Sequence, residues 1–341
     1  VMLLLIFSSS ISQLLLDDPS SWQYVVLGVT ASLFMAGNSI PLVSLRMQRK
    51  IYSYNTVNIV QTILYVSITL LLIYPLEYGL IGVFLGLALS HAFALSIGAL
   101  LTREYFSINV DWSYLRPSLN YSLPMLPAVF VTWLNNQADR FLLLFFLGLE
   151  LVGIFGASAR IVSIITLLVT IFRQAWTPLS IDALDKEESE RNEFYSKMLN
   201  YYMLIMFSVA IVIVLLSKPL LNLLVPEEYH SGYVIIPWLL GAKILHGSAS
   251  ITNLGTVISK KTIGNSIAAW SGAIVNVCLG LILIPIYGIS GVAIGSFVAE
   301  LIFMSILWYV SLKLTSVRYN TSLILLMIII YVILSIIIVH L

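Results

Sequence analysis

Apolar runs of about 20 residues follow one another along the whole chain. Each is long enough to cross a ~30 Å hydrocarbon core as a helix. Eleven can be read: 1–16 (short), 22–45, 55–75, 79–102, 118–147, 151–175, 199–217, 233–258, 263–285, 288–312 and 321–340. Polar breaks between them are brief. The stretch 103–117 is a polar, aromatic connector, and 178–198, rich in acidic and basic residues, predicts a charged cytoplasmic helix leading into the next span. The outer segment from Lys218 to Gly232 is too small to be a domain. The pattern predicts an all-α polytopic membrane protein of about eleven transmembrane helices.

One passage is written twice. Pro75-Leu-Glu-Tyr-Gly-Leu-Ile-Gly-Val-Phe-Leu-Gly86 and Pro285-Ile-Tyr-Gly-Ile-Ser-Gly-Val-Ala-Ile-Gly295 each place a Pro and a Tyr-Gly turn before a G-x-x-x-G helix start. Upstream, Arg49-Lys50 before Asn55 answers Lys260-Lys261 before Asn265. A parallel repeat of this length in an apolar chain points to a two-lobed transporter. The second copy begins near Leu115, which places the start of the first about 95 residues before Val1. The expected organisation is an N-terminal lobe at 1–102 with four transmembrane helices, lacking its first two. A cytoplasmic linker at 103–117 follows, then a six-helix C-terminal lobe at 118–312 and one additional helix in 313–341. Gly82/Gly86 and Gly291/Gly295 have the small-xxx-small spacing that lets helix backbones approach closely. Pro124 and Pro127 read either as a helix start or kink or as a hinge used in transport.

Composition narrows the class. Sixty per cent of residues are apolar and 10% charged, and the mean hydropathy is +1.00, against roughly a quarter charged in soluble domains. The net charge of +1 carries no basic patch for nucleic acid. The lone Cys278 excludes disulfides and reads as a buried thiol. Thirteen of the 17 Lys and Arg residues fall in one set of loops and only Lys218 in the other. The positive-inside rule then fixes the orientation with the first run entering from the cytoplasm. No phosphate-binding loop, metal-ligand spacing or nucleophile motif is visible, so neither an enzyme nor a cofactor is expected.

The remaining cations, Arg140, Arg160 and Lys243, lie inside spans, as do Asp139 and Glu300. Each costs about 2.5–3.5 kcal/mol at the bilayer centre and so requires a partner, a wet cavity or a function. Asp139 and Arg160 lie at equal distances, roughly 15 Å, from the turn between Gly148 and Gly153, which predicts an interhelical salt bridge. That pairing leaves Arg140 unmatched and makes it the better candidate for ligand binding. Lys243 and Glu300 lie near the midplane and can pair across helices. His246 shares a face with Lys243 and reads as a hydrogen-bonding group or a proton carrier; His91 reads the same way. Asn135-Asn136-Gln137 makes this stretch of the helix wet, as a cavity wall would be. Trp22 and Trp112 read as interface anchors.

Asn120-Tyr-Ser-Leu-Pro-Met-Leu-Pro127, Asn136-Gln-Ala-Asp-Arg-Phe-Leu-Leu143 and Leu151-Val-Gly-Ile-Phe-Gly-Ala-Ser-Ala-Arg160 carry a family resemblance. The chain resembles bacterial polysaccharide-transport proteins, the Wzx-type flippases of O-antigen and capsule units within the multidrug/oligosaccharidyl-lipid/polysaccharide exporter superfamily. The resemblance implies two helical lobes around a cavity that opens alternately to each side of the bacterial cytoplasmic membrane. The implied substrate is an undecaprenyl-pyrophosphate-linked oligosaccharide, with membrane lipid around the protein and a polysaccharide polymerase and chain-length regulator as pathway partners. A diphosphate calls for cations and donors, which makes Arg140, Lys243 and Arg160 substrate-binding candidates, and Arg suits it best through its planar fork. Asp139, Glu300 and His246 are candidates for coupling or structural charge. A cation-coupled multidrug antiporter of the same superfamily is the alternative, and would use Asp139 or Glu300 to bind Na⁺ or H⁺.

Overall fold

The computed structural model describes residues 7–16, 18–105, 112–123, 126–253, 263–314, 317 and 319–340, and they are helical with no strand among them. Nine helices among the described residues are long and apolar enough to cross a membrane, and the chain is a multi-pass membrane protein. It divides into two compact units, Val1–Pro117 and Ser118–Leu341.

The first unit contains α1 (Ser8–Leu16), α2 (Trp22–Met47), α3 (Ile51–Ile73) and α4 (Gly79–Leu101). Helix α4 packs against both α2 and α3. Its glycines permit this. A Cβ on Gly86 would lie 2.2 Å from Thr69 Oγ1, and one on Gly98 would lie 2.9 Å from the Pro41 ring. Within this unit His91 Nδ1 is buried without a hydrogen-bond partner. Helix α5 (Trp112–Ser122) spans the boundary between the units.

The second unit contains α6 (Leu126–Leu147), α7 (Leu149–Asp182), α8 (Glu188–Leu224), α9 (Ile236–Thr252), α10 (Ile263–Tyr287), α11 (Ile289–Leu314) and α12 (Thr321–His340). The expected run 118–147 is thus two helices, α5 and α6. The charged stretch 178–198 is not a separate helix. It forms the ends of α7 and α8, which meet at a single tight turn over Ala183–Asp185. Within α8 the i,i+4 ion pair Glu193–Lys197 favours helix, and Lys186, extended just after the turn, pairs with Glu190. Trp176 stacks on Phe194 with ring centroids 5.6 Å apart, and Tyr195 donates to the Ser180 carbonyl at 2.9 Å, locking the two helices together.

The hairpins α3–α4 and α10–α11 share their turn chemistry. Gly79 and Gly288 both have positive φ, +53° and +58°, a conformation open to glycine without a side-chain clash. As α4 does with α2 and α3, α11 packs against both α9 and α10. Carried along by the same offset of 209 residues (288 − 79), His91 corresponds to Glu300.

Helix α9 is the most enclosed element of its unit. It packs against α7, α8 and α11. Small residues make the close approach possible: a Cβ on Gly247 would meet Tyr202 Oη at 2.2 Å, and one on Gly241 would meet the Phe297 ring at 2.6 Å. Tyr202 donates to the Ile244 carbonyl and Tyr331 to the Pro237 carbonyl, at 2.9 and 2.6 Å. Outward surfaces are apolar, as a lipid-facing surface requires. On α12, Leu325, Leu326, Ile329, Ile330 and Ile333 are exposed while Ile324, Ile328 and Tyr331 are buried. Cys278 is exposed on α10, contrary to the expected buried thiol. It lies half a turn away from the inward stripe formed by Gly272, Asn276 and Gly280.

Candidate functional site

Five helices of the second unit close a ring. Helix α6 packs on α7, α7 on α9, α9 on α11, α11 on α10, and α10 back on α6. Within the ring is a cavity of about 380 Å³. Asp139 and Arg140 reach it from α6, Lys243 and His246 from α9, Asn276 from α10, and Ser296, Glu300 and Phe303 from α11. Five of the six candidate residues therefore share one cavity. Helix α9 explains the convergence of its two basic groups. From Leu239 to Ser248 only Lys243 and His246 are exposed, on one i,i+3 stripe that opens to the cavity.

Asp139 sits where α6, α10 and α11 converge. Its Oδ1 accepts from Asn276 Nδ2 at 3.1 Å and its Oδ2 from Ser296 Oγ at 2.9 Å. The expected Asp139–Arg160 salt bridge does not form. Equal depth is not sufficient; direction around the helix axis decides the partner. On α7 the inward stripe runs through Phe155, Ala159, Val162, Ser163 and Thr166. Arg160, one residue and about 100° from Ala159, is exposed outside the cavity lining.

Glu300 takes His246 as its partner instead of the expected Lys243. His246 Nδ1 lies 3.1 Å from Glu300 Oε2, with the imidazole side chain 54% exposed and the carboxylate 18%. The imidazole stacks on Phe303, with centroids 5.4 Å apart and planes 20° apart. Arg140 Nη1 reaches Gln137 Oε1 only at 3.4 Å. Among the described residues neither Arg140 nor Lys243 forms an ion pair. Both carboxylates of the cavity thus have hydrogen-bond partners, and among the described residues neither of its fixed cations is held in an ion pair.

Asn276, Ser296 and Phe303 were not among the sequence-level candidates. Their signal was available as an amide and a hydroxyl within otherwise apolar spans. Neutral polar groups cost far less in a membrane than charges and draw less attention. Pro124 and Lys260-Lys261 lie outside the described residues, as do the side chains of Pro127, Asn135 and Asn136.

The fold is shared with solved transporters. The lipid II flippase MurJ, in an inward closed conformation, superposes with a TM-score of 0.71 at 18% identity, over 99% of this chain and 79% of that one. A mutant of the Vibrio cholerae MATE transporter VcmN superposes at 0.63 and 18% identity, over 92% of this chain and 74% of the other. A further MATE mutant gives 0.55 at 14% identity, over 86% and 68% of the two chains. No curated protein sequence matches the chain. The family model for polysaccharide biosynthesis proteins matches residues 1–233, and the chain belongs to that family.

Proposed function

We propose that this protein is a flippase carrying a polyprenyl-pyrophosphate-linked oligosaccharide across the bacterial cytoplasmic membrane by alternating access. The supporting observation is a pair of cations that, among the described residues, form no ion pair. Arg140 and Lys243 face one cavity from different helices while Asp139 is held by Asn276 and Ser296 and Glu300 by His246. A hydrated diphosphate crossing apolar lipid needs cations and donors withdrawn from bulk water, and this cavity offers both. Its volume of about 380 Å³ falls within the range of small-ligand pockets, roughly 300–1,000 Å³, enough for a headgroup rather than a whole oligosaccharide. The polyprenyl tail stays in the lipid. The delivered unit then passes to a polymerase and its chain-length regulator.

The test is complementation of surface polysaccharide in a strain lacking its own transporter. Arg140→Ala and Lys243→Ala are expected to insert and fold normally yet abolish the polysaccharide. Arg140→Lys restores it in part, because a point charge replaces a bidentate fork. Normal polysaccharide from the Arg140→Ala, Lys243→Ala double variant would overturn the assignment. Cation-coupled dye efflux retained by that variant would favour a multidrug exporter.

A further inference from the structure

Among the described residues, five charged or titratable side chains line the cavity. Asp139 and Arg140 come from α6, Lys243 and His246 from α9, and Glu300 from α11, while α7 and α10 contribute neutral groups only. With a neutral imidazole, two cations and two carboxylates cancel. A diphosphate headgroup brings roughly two further negative charges, so the occupied cavity is strongly anionic unless a proton enters. Asp139 is held between Asn276 and Ser296, from each of which it accepts a hydrogen bond.

His246 is placed to take that proton. Its Nδ1 faces the Glu300 carboxylate at 3.1 Å. A carboxylate only accepts, so the neutral ring donates through Nδ1–H and leaves its lone pair on Nε2. Phe303 lies against the ring and holds this orientation. Glu300 is mostly withdrawn from solvent while His246 is more than half exposed, so the basic partner is the one that water and ligand can reach. An imidazole is also the side chain whose charge ordinarily changes between about pH 5 and 8.

Building on the anionic-headgroup reading above, we infer that the His246–Glu300 pair is a proton site linked to occupancy of the cavity. An anionic headgroup arriving beside Arg140 and Lys243 draws a proton from water onto His246 Nε2. Its departure releases that proton. On uptake an O–H bond of hydronium breaks as the N–H bond forms, and on release the reverse exchange returns the proton to water. Linkage is reciprocal: a ligand that favours the protonated pair is itself bound more tightly when the pair is protonated.

The experiment uses the purified protein in detergent, with inorganic pyrophosphate as the probe. Titration calorimetry in buffers of different ionisation enthalpy near pH 7 counts protons taken up per bound anion. Because the probe itself titrates, the quantity read is the difference between wild type and His246→Gln, which keeps a donor for Glu300 but cannot take the proton. Wild-type uptake is expected to exceed that of His246→Gln by roughly half a proton or more per bound anion. The wild type should also lose about tenfold more affinity between pH 6 and pH 8. Equal proton counts with pyrophosphate bound to both would overturn the linkage and leave the anionic site standing. Absence of pyrophosphate binding to the wild type at every pH would overturn both. Should His246→Gln fail to fold, Glu300→Gln gives the same comparison, since removing the carboxylate weakens the pair's hold on the proton. Uptake by Glu300→Gln equal to that of the wild type would likewise overturn the linkage.

Discussion

Gly291 and Gly295 occupy the two ends of one G-x-x-x-G motif, and a sequence reading treats them alike. Their surroundings are not alike. A Cβ on Gly291 would stand 2.3 Å from the Leu283 carbonyl oxygen, 2.5 Å from its carbon and 2.9 Å from Ile284 N. These are backbone atoms of α10, so no rotamer change relieves the overlap. The carbonyl contact is about 1 Å short of ordinary van der Waals separation, and α11 must move away from α10 by a similar amount. A Cβ on Gly295 would meet Leu279 Cβ at 3.4 Å, an ordinary contact. Gly291→Ala is therefore expected to cost about 2–3 kcal/mol, at the upper end for overpacking. Gly295→Ala is expected to be neutral or to gain up to ~1 kcal/mol from helix propensity. A gap of about 3 kcal/mol separates the folding equilibrium constants of the two variants by roughly a hundredfold. Reversible unfolding in mixed micelles, followed by tryptophan fluorescence, measures this directly. Because the α10–α11 hairpin also carries Asn276 and Ser296, Gly291→Ala should lose polysaccharide export as well. Equal stabilities for the two variants would refute the reasoning.

The other expectations concern single contacts. Asp139→Asn places an amide against two donors and should cost about 1.5–3 kcal/mol. The swap Asp139→Asn, Asn276→Asp should recover at least ~1 kcal/mol in a double-mutant cycle. Rescue of Asp139→Ala by Arg160→Leu, but not by changes at Asn276, would restore the salt-bridge reading. Tyr331→Phe removes a buried hydrogen bond to the Pro237 carbonyl and should lower thermal stability by about 1 kcal/mol. Polysaccharide export should be unaffected, and an export defect at normal abundance of Tyr331→Phe would give α12 more than a packing role.

The spans were legible because twenty apolar residues have few other uses, and the duplicated Pro, Tyr-Gly and G-x-x-x-G passage marked matching hairpins. Helix ends were less so. Hydropathy stops where lipid stops, whereas α7 and α8 continue through charged residues, with Glu193–Lys197 pairing along α8 and the Trp176 stack joining the two helices. The charges of the site stood out for their desolvation cost, but their partners did not. Pairing depends on rotation about each helix axis and on which helices become neighbours. Asp139 thus met Asn276 and Ser296 rather than Arg160, and Glu300 met His246 rather than Lys243. Nor does the sequence of α9 reveal that it is the most enclosed helix of its unit. Its small residues, Gly241, Ala242, Gly247 and Ser248, record that only once its neighbours are known.

The long helices α7 and α8 have a practical consequence. At 1.5 Å per residue they measure roughly 50 and 55 Å, against a hydrocarbon core of ~30 Å. About 20 Å of continuous hairpin therefore extends beyond the hydrocarbon core, ending in the tight turn at Ala183–Asp185. Both arms are unbroken helix into the membrane, so a soluble domain grafted at that turn in helical phase would be carried rigidly. Such a graft would give the second unit a fixed marker for single-particle imaging, at the far end of α7 from the cavity that holds Arg140 and Lys243.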